Sequence, residues 1–545
     1  MTGRLSLVAA LLVLTAVTFY FPGRTYLQSD TQIYVPMMER DLAGPGVLAS
    51  DPMATRAHTS FTLYDDIAIL LRKITGAGFE RILLLEQIAF RALGVWGLWL
   101  IATGLGYSQR KAWLLVALTS LGAAIAGPAV LTVEYEPVPR GFAMGALLLA
   151  LGLALHRRFA WAGFAAALAT VLHAPTAWPI WPALLLAPFG PCWHPLSQAG
   201  LDPIREMART AGHPRKPLLI LCCCLAGAFG LLLLTAGASA PPSLFGSIPP
   251  WLEQIQRMRA SYSWVSEWKW QYFAHYALMS GILILAALRI RVPRWLLVPA
   301  LFGIVSIPLS WLLLEQMKWS LMPQFQPARA VLWITLFGLI FSIGAALNAD
   351  RWWQRALWLL PGFWIPIGAT LVPEVFGPRD WVMALLLAAV LGYTLTQRRP
   401  IVSAAIALAS FWLIPNWTNV HNYRTDLHTP ELAQVAEWAR ANTAPDSVFL
   451  FADAKRGLEP GIFRARSLRS LYVDWKSGGQ ANYFPDYARE WKARWEAAGQ
   501  CEGDKSAASL AALGIDYAVF RDTSTGGELV FRNGRFAVYR VKRDR

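Results

Sequence analysis

Charge is scarce in this sequence. Of 545 residues, 15% are charged and 55% hydrophobic, whereas soluble globular proteins carry nearer a quarter charged residues. That balance excludes an ordinary soluble chain and points to a polytopic membrane protein. Cysteine is scarce too, with five in all. Cys222, Cys223 and Cys224 are consecutive inside an apolar run, where they suit the role of small polarizable packing residues. Cys192 and Cys501 stand alone, so the C-terminal region can form no intramolecular disulfide framework, and no C-x-x-C metal spacing occurs. Internal repeats and low-complexity tracts are absent, which argues against a transporter built from inverted repeats. A small-residue cleavage site is missing as well: FYFPGRTYLQ follows the first apolar run, which therefore reads as an uncleaved anchor.

What is present is a series of apolar runs long enough to cross a hydrocarbon core of about 30 Å. They lie near residues 5–21, 82–106, 112–133, 141–156, 159–172, 176–190, 217–236, 273–290, 295–314, 330–348, 355–371, 381–396 and 401–415. This predicts a polytopic α-helical protein of about thirteen transmembrane helices. The 26 tryptophans suit aromatic belts at the two interfaces.

The net charge of +15 could signal nucleic-acid binding, but its placement argues otherwise. With Arg4 inside, alternate connections carry Arg110/Lys111, Arg157/Arg158, the Arg205–Lys216 segment, Arg289/Arg291/Arg294, Arg351/Arg355 and Arg398/Arg399. The opposite connections are poorer in Lys and Arg, as the positive-inside rule requires. The excess charge is topological, and no nucleic-acid partner is expected. The chain is thus expected to lie in a bacterial cytoplasmic (inner) membrane, N-terminus in the cytoplasm. Residues 1–416 form the transmembrane part, with outside loops at about 22–81 and 237–272, and 417–545 form an exported α/β domain.

In that domain Thr429-Pro430 starts a helix. SVFLFAD, SLYVDW and DYAVF read as strands, YAREWKARWEAA as an amphipathic helix, and ELVFRNGRFAVYRV as a hairpin turning on Asn533-Gly534. The aromatic middle loop, SLFGSIPPWLEQIQRMRASYSWVSEWKWQYFAHY, reads either as an interfacial helix on the membrane or as a lid over a lipid-linked substrate.

The chemistry-bearing residues gather on the outside face. Asp30 and Tyr34 follow the first span in SDTQIYVP, Asp65 and Asp66 close the same loop, and Glu134 and Glu136 sit in the next outside connection, EYEPVPR. Partial desolvation at a membrane mouth raises carboxyl pKa values and makes a competent proton acceptor. A solvated loop acid is the plain alternative for each. Arg329, in MPQFQPARAVLW, stands where an outside loop meets a span; it suits a lipid phosphate or snorkels to the interface, and Arg140 admits the same two readings. His173, in TVLHAPTAW, reads as a helix-end histidine satisfied by backbone or as a substrate contact. FRARSLRSLYVDWK offers Arg464, Arg466, Arg469, Asp474 and Lys476 to a polyanionic acceptor or to one another.

By its topology, SDTQIYVP after the first span, EYEP in the second outside loop, PAR before a later span and a soluble C-terminal domain, the chain resembles the GT-C superfamily of integral-membrane glycosyltransferases. The resemblance implies an inverting transfer of sugar from a polyprenyl-phosphate donor to an envelope acceptor: lipid, glycan or protein. It makes Asp30, with Glu134 or Glu136, the catalytic acids. Substrate contacts would come from Arg329, Tyr34, Arg140 and His173, and membrane lipids would surround the donor chain. A divalent ion, Mg or Mn, would be held by Glu134, Glu136 or Asp65, or by the adjacent pair Asp65 and Asp66, since Asp30 is followed by Thr31 rather than by the second acid common in that superfamily. Two rivals stand beside it. A transporter or flippase for lipid-linked saccharides would use ionisable groups within the spans, notably Glu86 and Arg91; a noncatalytic assembly protein would use the exported domain alone.

Overall fold

The computed structural model describes residues 2–56, 62–190, 214–236, 246–290, 292–370, 377–419, 427–500, 507–521 and 527–541. Cys192, Cys501 and the arginines at 205 and 209 lie outside the described residues. Among the described residues, eight helices are long and apolar enough to cross a membrane by length and composition, with shorter apolar helices at Leu7–Tyr20 and Pro139–Leu155. The helix Leu332–Asn348 lies at the centre, between Trp270–Ile290 and Trp352–Thr370. Its sequence, LWITLFGLIFSIGAALN, is apolar all round, so it has no face to offer water and is buried almost throughout. Helices Phe79–Gly104 and Pro139–Leu155 approach closely because their contact is built on small residues: a Cβ at Gly97 would strike the backbone of Leu148 and Leu149, and one at Gly145 would strike that of Phe90.

Two apolar stretches that read as spans are not single helices. In 112–133 the helix Gln109–Thr119 stops, Gly122 and Gly127 take positive φ, and β1 (Ala124–Ile125) pairs antiparallel with β2 (Val130–Leu131). Local turn chemistry outweighs apolarity there. The hairpin delivers Glu134 and Glu136 to one end of the bundle. In 176–190 the chain forms a six-residue helix, Trp181–Leu186, and a 3₁₀ turn, Ala187–Phe189. At 1.5 Å per residue neither crosses a membrane.

The first loop is not extended. It carries helix Thr31–Ala43 and helix Tyr64–Thr75, whose Tyr64 hydroxyl donates to the Pro137 carbonyl at 2.6 Å. The C-terminal domain holds a five-stranded sheet in the order β4 (Ser470–Leu471), β3 (Val448–Phe451), β5 (Tyr517–Phe520), β7 (Ala537–Arg540), β6 (Glu528–Arg532). β3 is parallel to β4 and β5, and the last two strands form the expected hairpin. The Thr429 side chain accepts from the Leu432 N–H and caps helix Pro430–Asn442. SLYVDW forms only the short strand Ser470–Leu471, extended by one bond from the Tyr472 N–H to the Phe449 carbonyl at 2.8 Å. The middle loop forms helix Pro250–Arg259, which packs on the C-terminal domain: Arg259 donates to the Trp475 and Lys476 carbonyls at 2.7 and 3.1 Å.

Candidate functional site

The site is built around one loop, residues 27–31, that leads from the first helix into helix Thr31–Ala43. Glu136 shapes it. Its carboxylate accepts from the N–H groups of Gln28, Ser29, Asp30 and Thr31, at 3.0, 2.7, 2.9 and 3.4 Å, and from the Thr31 hydroxyl. The Asp30 and Thr31 donors belong to the helix start and those of Gln28 and Ser29 to the loop before it, and one side-chain anion from another segment satisfies all four. Burial and the charge of Asp30 push the Glu136 carboxyl up, against the pull of Thr31, Ser29 and Lys476. Glu136 is therefore a positioning group whose oxygens are already engaged.

Held this way, Asp30 turns its carboxylate to two cations from two distant elements. One oxygen pairs with Arg140 and the other with Lys476 at 2.6 Å. Burial alone would raise the Asp30 pKa, but Lys476 and Arg140 together hold it well below the usual aspartate range. Arg140 bridges to Glu134, its Nε lying 2.6 Å from Oε1. The result is an alternating chain, Lys476–Asp30–Arg140–Glu134, across the seam between bundle and C-terminal domain. Glu134 takes a further N–H from Leu131 of β2 at 3.2 Å, so the hairpin fixes its height.

Arg329 enters from the opposite wall. With Glu134, Arg140, Thr176 and Trp333 it lines a cavity of about 10 Å³, room for about one water. Its Nε is buried and has no hydrogen-bond partner among the described residues. His173 lies at a break in helix Phe159–Ala177, with non-helical φ/ψ, and its Nδ1 accepts from the Thr176 N–H at 3.2 Å. That is the backbone-satisfied reading. Tyr34 follows one turn after Asp30 and packs edge-on to Tyr64 at 5.3 Å between ring centres; burial pushes its hydroxyl well above the ordinary value. Tyr483, from the C-terminal domain, is pushed up to about 12 by burial, with Arg329 pulling the other way.

Asp65 and Asp66 point apart: Asp65 is buried and Asp66 exposed on helix Tyr64–Thr75. Among the described residues no group of three His, Cys, Asp or Glu side chains could hold a metal ion. Adjacent helical residues are about 100° apart, which here leaves one carboxylate buried and the other exposed. The pair does not fit a resident ion, and no step below runs through one.

Lys476 is the site residue whose place the sequence did not reveal. It sits in a basic cluster that could as well have paired within itself, and it meets Asp30 across 446 residues. Within that cluster Arg464 does pair locally and across the seam, with Asp474 and, at 2.9 Å, with Asp51. Glu86 and Arg91 are both buried in helix Phe79–Gly104; Arg91 gives its guanidinium to the carbonyls of Thr18, Gly23 and Glu134 at 2.8, 2.6 and 2.7 Å.

Residues 430–498 match a family model described as Domain of unknown function (DUF6798). No curated protein matches in sequence. Two solved structures of arabinofuranosyltransferase AftD from Mycobacteria, a GT-C membrane glycosyltransferase, are similar to this chain over 99% of its length: one at 14% identity, and a variant of it at 16%, each with a TM-score of 0.45. The chain spans 40% and 41% of the lengths of those two chains.

Proposed function

We propose that this protein transfers a sugar from a polyprenyl-phosphate-linked donor to an envelope acceptor at the outer face of the cytoplasmic membrane, with inversion. The observation that carries the reading is the seam itself. An ionised, part-buried aspartate stands at the end of a helical bundle, linked through Arg140 and Glu134 to a cavity that Arg329 lines, with one buried guanidinium donor, Nε, unpartnered. A reacting sugar phosphate needs these two opposite functions within reach of one another: an acceptor for a hydroxyl proton and a cationic partner for the leaving phosphate.

In this reading the donor chain lies in the bilayer and its phosphate meets Arg329, which offers a fixed fork of N–H groups. The acceptor hydroxyl approaches Asp30. Its proton passes to the carboxylate as its oxygen attacks the anomeric carbon from the face opposite the phosphate. The carbon–oxygen bond to phosphate breaks, and its electron pair goes to the phosphate oxygen, where Arg329 stabilises the charge.

With Lys476 and Arg140 both bound to it, Asp30 is a weak base. An acceptor hydroxyl that takes the place of Lys476 removes one named cause of the depressed pKa, so acceptor binding itself makes Asp30 more basic. Lys476 is in this sense a positioning residue delivered by the C-terminal domain. Arg91, whose charge is spent on backbone carbonyls, lends no support to a saccharide pathway through the bundle.

The test is transfer of radiolabelled sugar from a panel of polyprenyl-phosphate donors to an envelope acceptor fraction, by purified wild-type protein and by Asp30→Asn. Transfer by the wild type and its loss in a folded Asp30→Asn protein is the expected result. Equal transfer by both would overturn the role of Asp30. Transfer by neither, with several donors tried, would overturn the glycosyltransferase reading.

A further inference from the structure

A second site lies in the C-terminal domain, away from the carboxylate chain. The sheet order places β3 between β4 and β5, parallel to both. The chain leaves β3, passes through helix Glu459–Ser467 to β4 on one side, then returns through helix Pro485–Gln500 to β5 on the other. In an open α/β sheet, such a reversal opens a crevice outside the carboxyl ends of the strands, where ligands bind. A cavity of about 440 Å³ lies there, against about 50 and 10 Å³ for those at the end of the bundle. The first figure falls in the range of small-molecule sites.

Its walls have a particular chemistry. Phe451, Ala452, Val473 and Trp495 are among its lining residues. Trp475 packs on Trp495 at 5.2 Å, with the Arg456 guanidinium 4.3 Å from the Trp475 ring centre. Lys455 and Arg456 line the exposed rim, and neither has an ion-pair partner among the described residues. The nearby acids are engaged elsewhere: Asp474 with Arg464, Asp453 with the Arg521 N–H, and Glu459 with Arg521 and Arg535. The cavity thus offers a tryptophan, Trp495, which also stacks on Trp491 at 5.7 Å, two exposed cations without ion-pair partners among the described residues, and one lining carboxylate, Asp474, already paired with Arg464.

We propose that this cavity binds an anionic sugar unit of a glycan, its ring against Trp495 and its acidic group at Lys455 and Arg456. An indole face suits the apolar C–H face of a sugar ring, and two cations at the rim select a carboxylate or phosphate substituent. The same loop, 473–476, lines the cavity at one end and delivers Lys476 to Asp30 at the other. One short loop therefore joins this cavity to the Asp30 contact. The site itself stands whether or not transfer takes place there.

Binding of a dye-labelled oligogalacturonate to the full-length protein in detergent, read by fluorescence anisotropy, tests this. Expected are binding at low salt, at least about tenfold weaker binding of a neutral cello-oligosaccharide, and a loss of about tenfold in Lys455→Gln/Arg456→Gln. Trp495→Phe should weaken both sugars, and Asp30→Asn should leave affinity unchanged, which separates this site from the transfer chemistry. Equal affinity for neutral and acidic sugars, an affinity indifferent to the rim substitutions, or no binding at all would each overturn the proposal. Full competition by inorganic phosphate at the same affinity would reduce it to a plain anion site and overturn the sugar.

Discussion

Two ion clusters lie on the same seam between bundle and C-terminal domain, and they are built for opposite ends. In the first, Arg464 sits between Asp51 and Asp474, with the paired Arg464 and Asp51 side chains 1% exposed; Asp51 also takes N–H groups from Met53, Ala54 and Leu471 at 3.0, 3.1 and 3.0 Å. Each charge there is ion-paired, and the cavity beside it, about 10 Å³, has room for about one water. In the second, Asp30 is 26% exposed and is shared by Arg140 and Lys476, and Arg140 also lines the cavity of Arg329, whose Nε is unpartnered. The first cluster rivets the domain to the loop of residues 44–56. The second holds charge in reserve. Ion pairs between almost fully buried side chains mark structure, whereas a partly exposed carboxylate shared by two cations marks chemistry.

The sharpest way to break the contrast is to neutralise one carboxylate in each cluster. Asp30→Asn should cut transfer by about 10²–10⁴-fold in protein that still folds, with a smaller drop in melting temperature than Arg464→Met, as measured on purified protein in parallel with activity. Arg464→Met should do the reverse. Stranding two buried carboxylates costs roughly 3–5 kcal/mol, so thermal unfolding and limited proteolysis of the C-terminal domain should change first, with transfer falling only in step with the folded fraction. Were Arg464→Met to stay as stable as the wild type, the rivet would be wrong.

Smaller effects sharpen it. Arg329→Gln keeps a donor but loses the charge, and should lower the maximal rate by roughly 10²-fold through a weakened leaving-group contact. Lys476→Gln should move the acid limb of the pH–rate profile. In the wild type Lys476 and Arg140 hold Asp30 ionised well below its ordinary value of 3.8, so the rate should stay flat down to that region. Without Lys476 one cause of the depression is gone, and activity should begin to fall at higher pH; an unmoved limb would detach Lys476 from Asp30.

The sign for stability follows from the same shift. A carboxyl with a depressed folded pKa contributes stability that is present above its unfolded pKa and lost as pH falls through the folded one. The seam should therefore weaken on acidification below the ordinary aspartate range. Glu136, whose folded pKa is raised, contributes the opposite trend: its share is present below the unfolded value of 4.5 and is lost as pH rises through the folded one. Stability of Glu136→Gln measured against pH should lack that second component.

Much of the bundle was legible because apolar run length is a one-dimensional property. The helices at Phe79–Gly104, Trp270–Ile290 and Pro400–Thr418 lie where the runs place them. Runs 112–133 and 176–190 misled because hydropathy is blind to the turn preferences of glycine and proline within them. The convergence of Asp30, Glu134 and Arg140 was readable from which connections share a membrane face. The adjacency of Asp65 and Asp66 misled for the opposite reason, since a helix turns neighbours away from one another. The middle loop reads as amphipathic in sequence, but what its apolar face meets, the C-terminal domain, is not written in its own residues.

By itself the sequence determined that this chain is a helical membrane protein with acids and arginines gathered at one end and a small α/β domain behind them, because burial cost and charge asymmetry act residue by residue. Only the tertiary structure decided which of those charges are spent and which are held in reserve. Arg464 and Lys476 are twelve residues apart in one basic stretch, and nothing local separates a rivet from a partner of Asp30. Their difference arises from desolvation and from the groups that approach across hundreds of residues, and those exist only once the chain has folded.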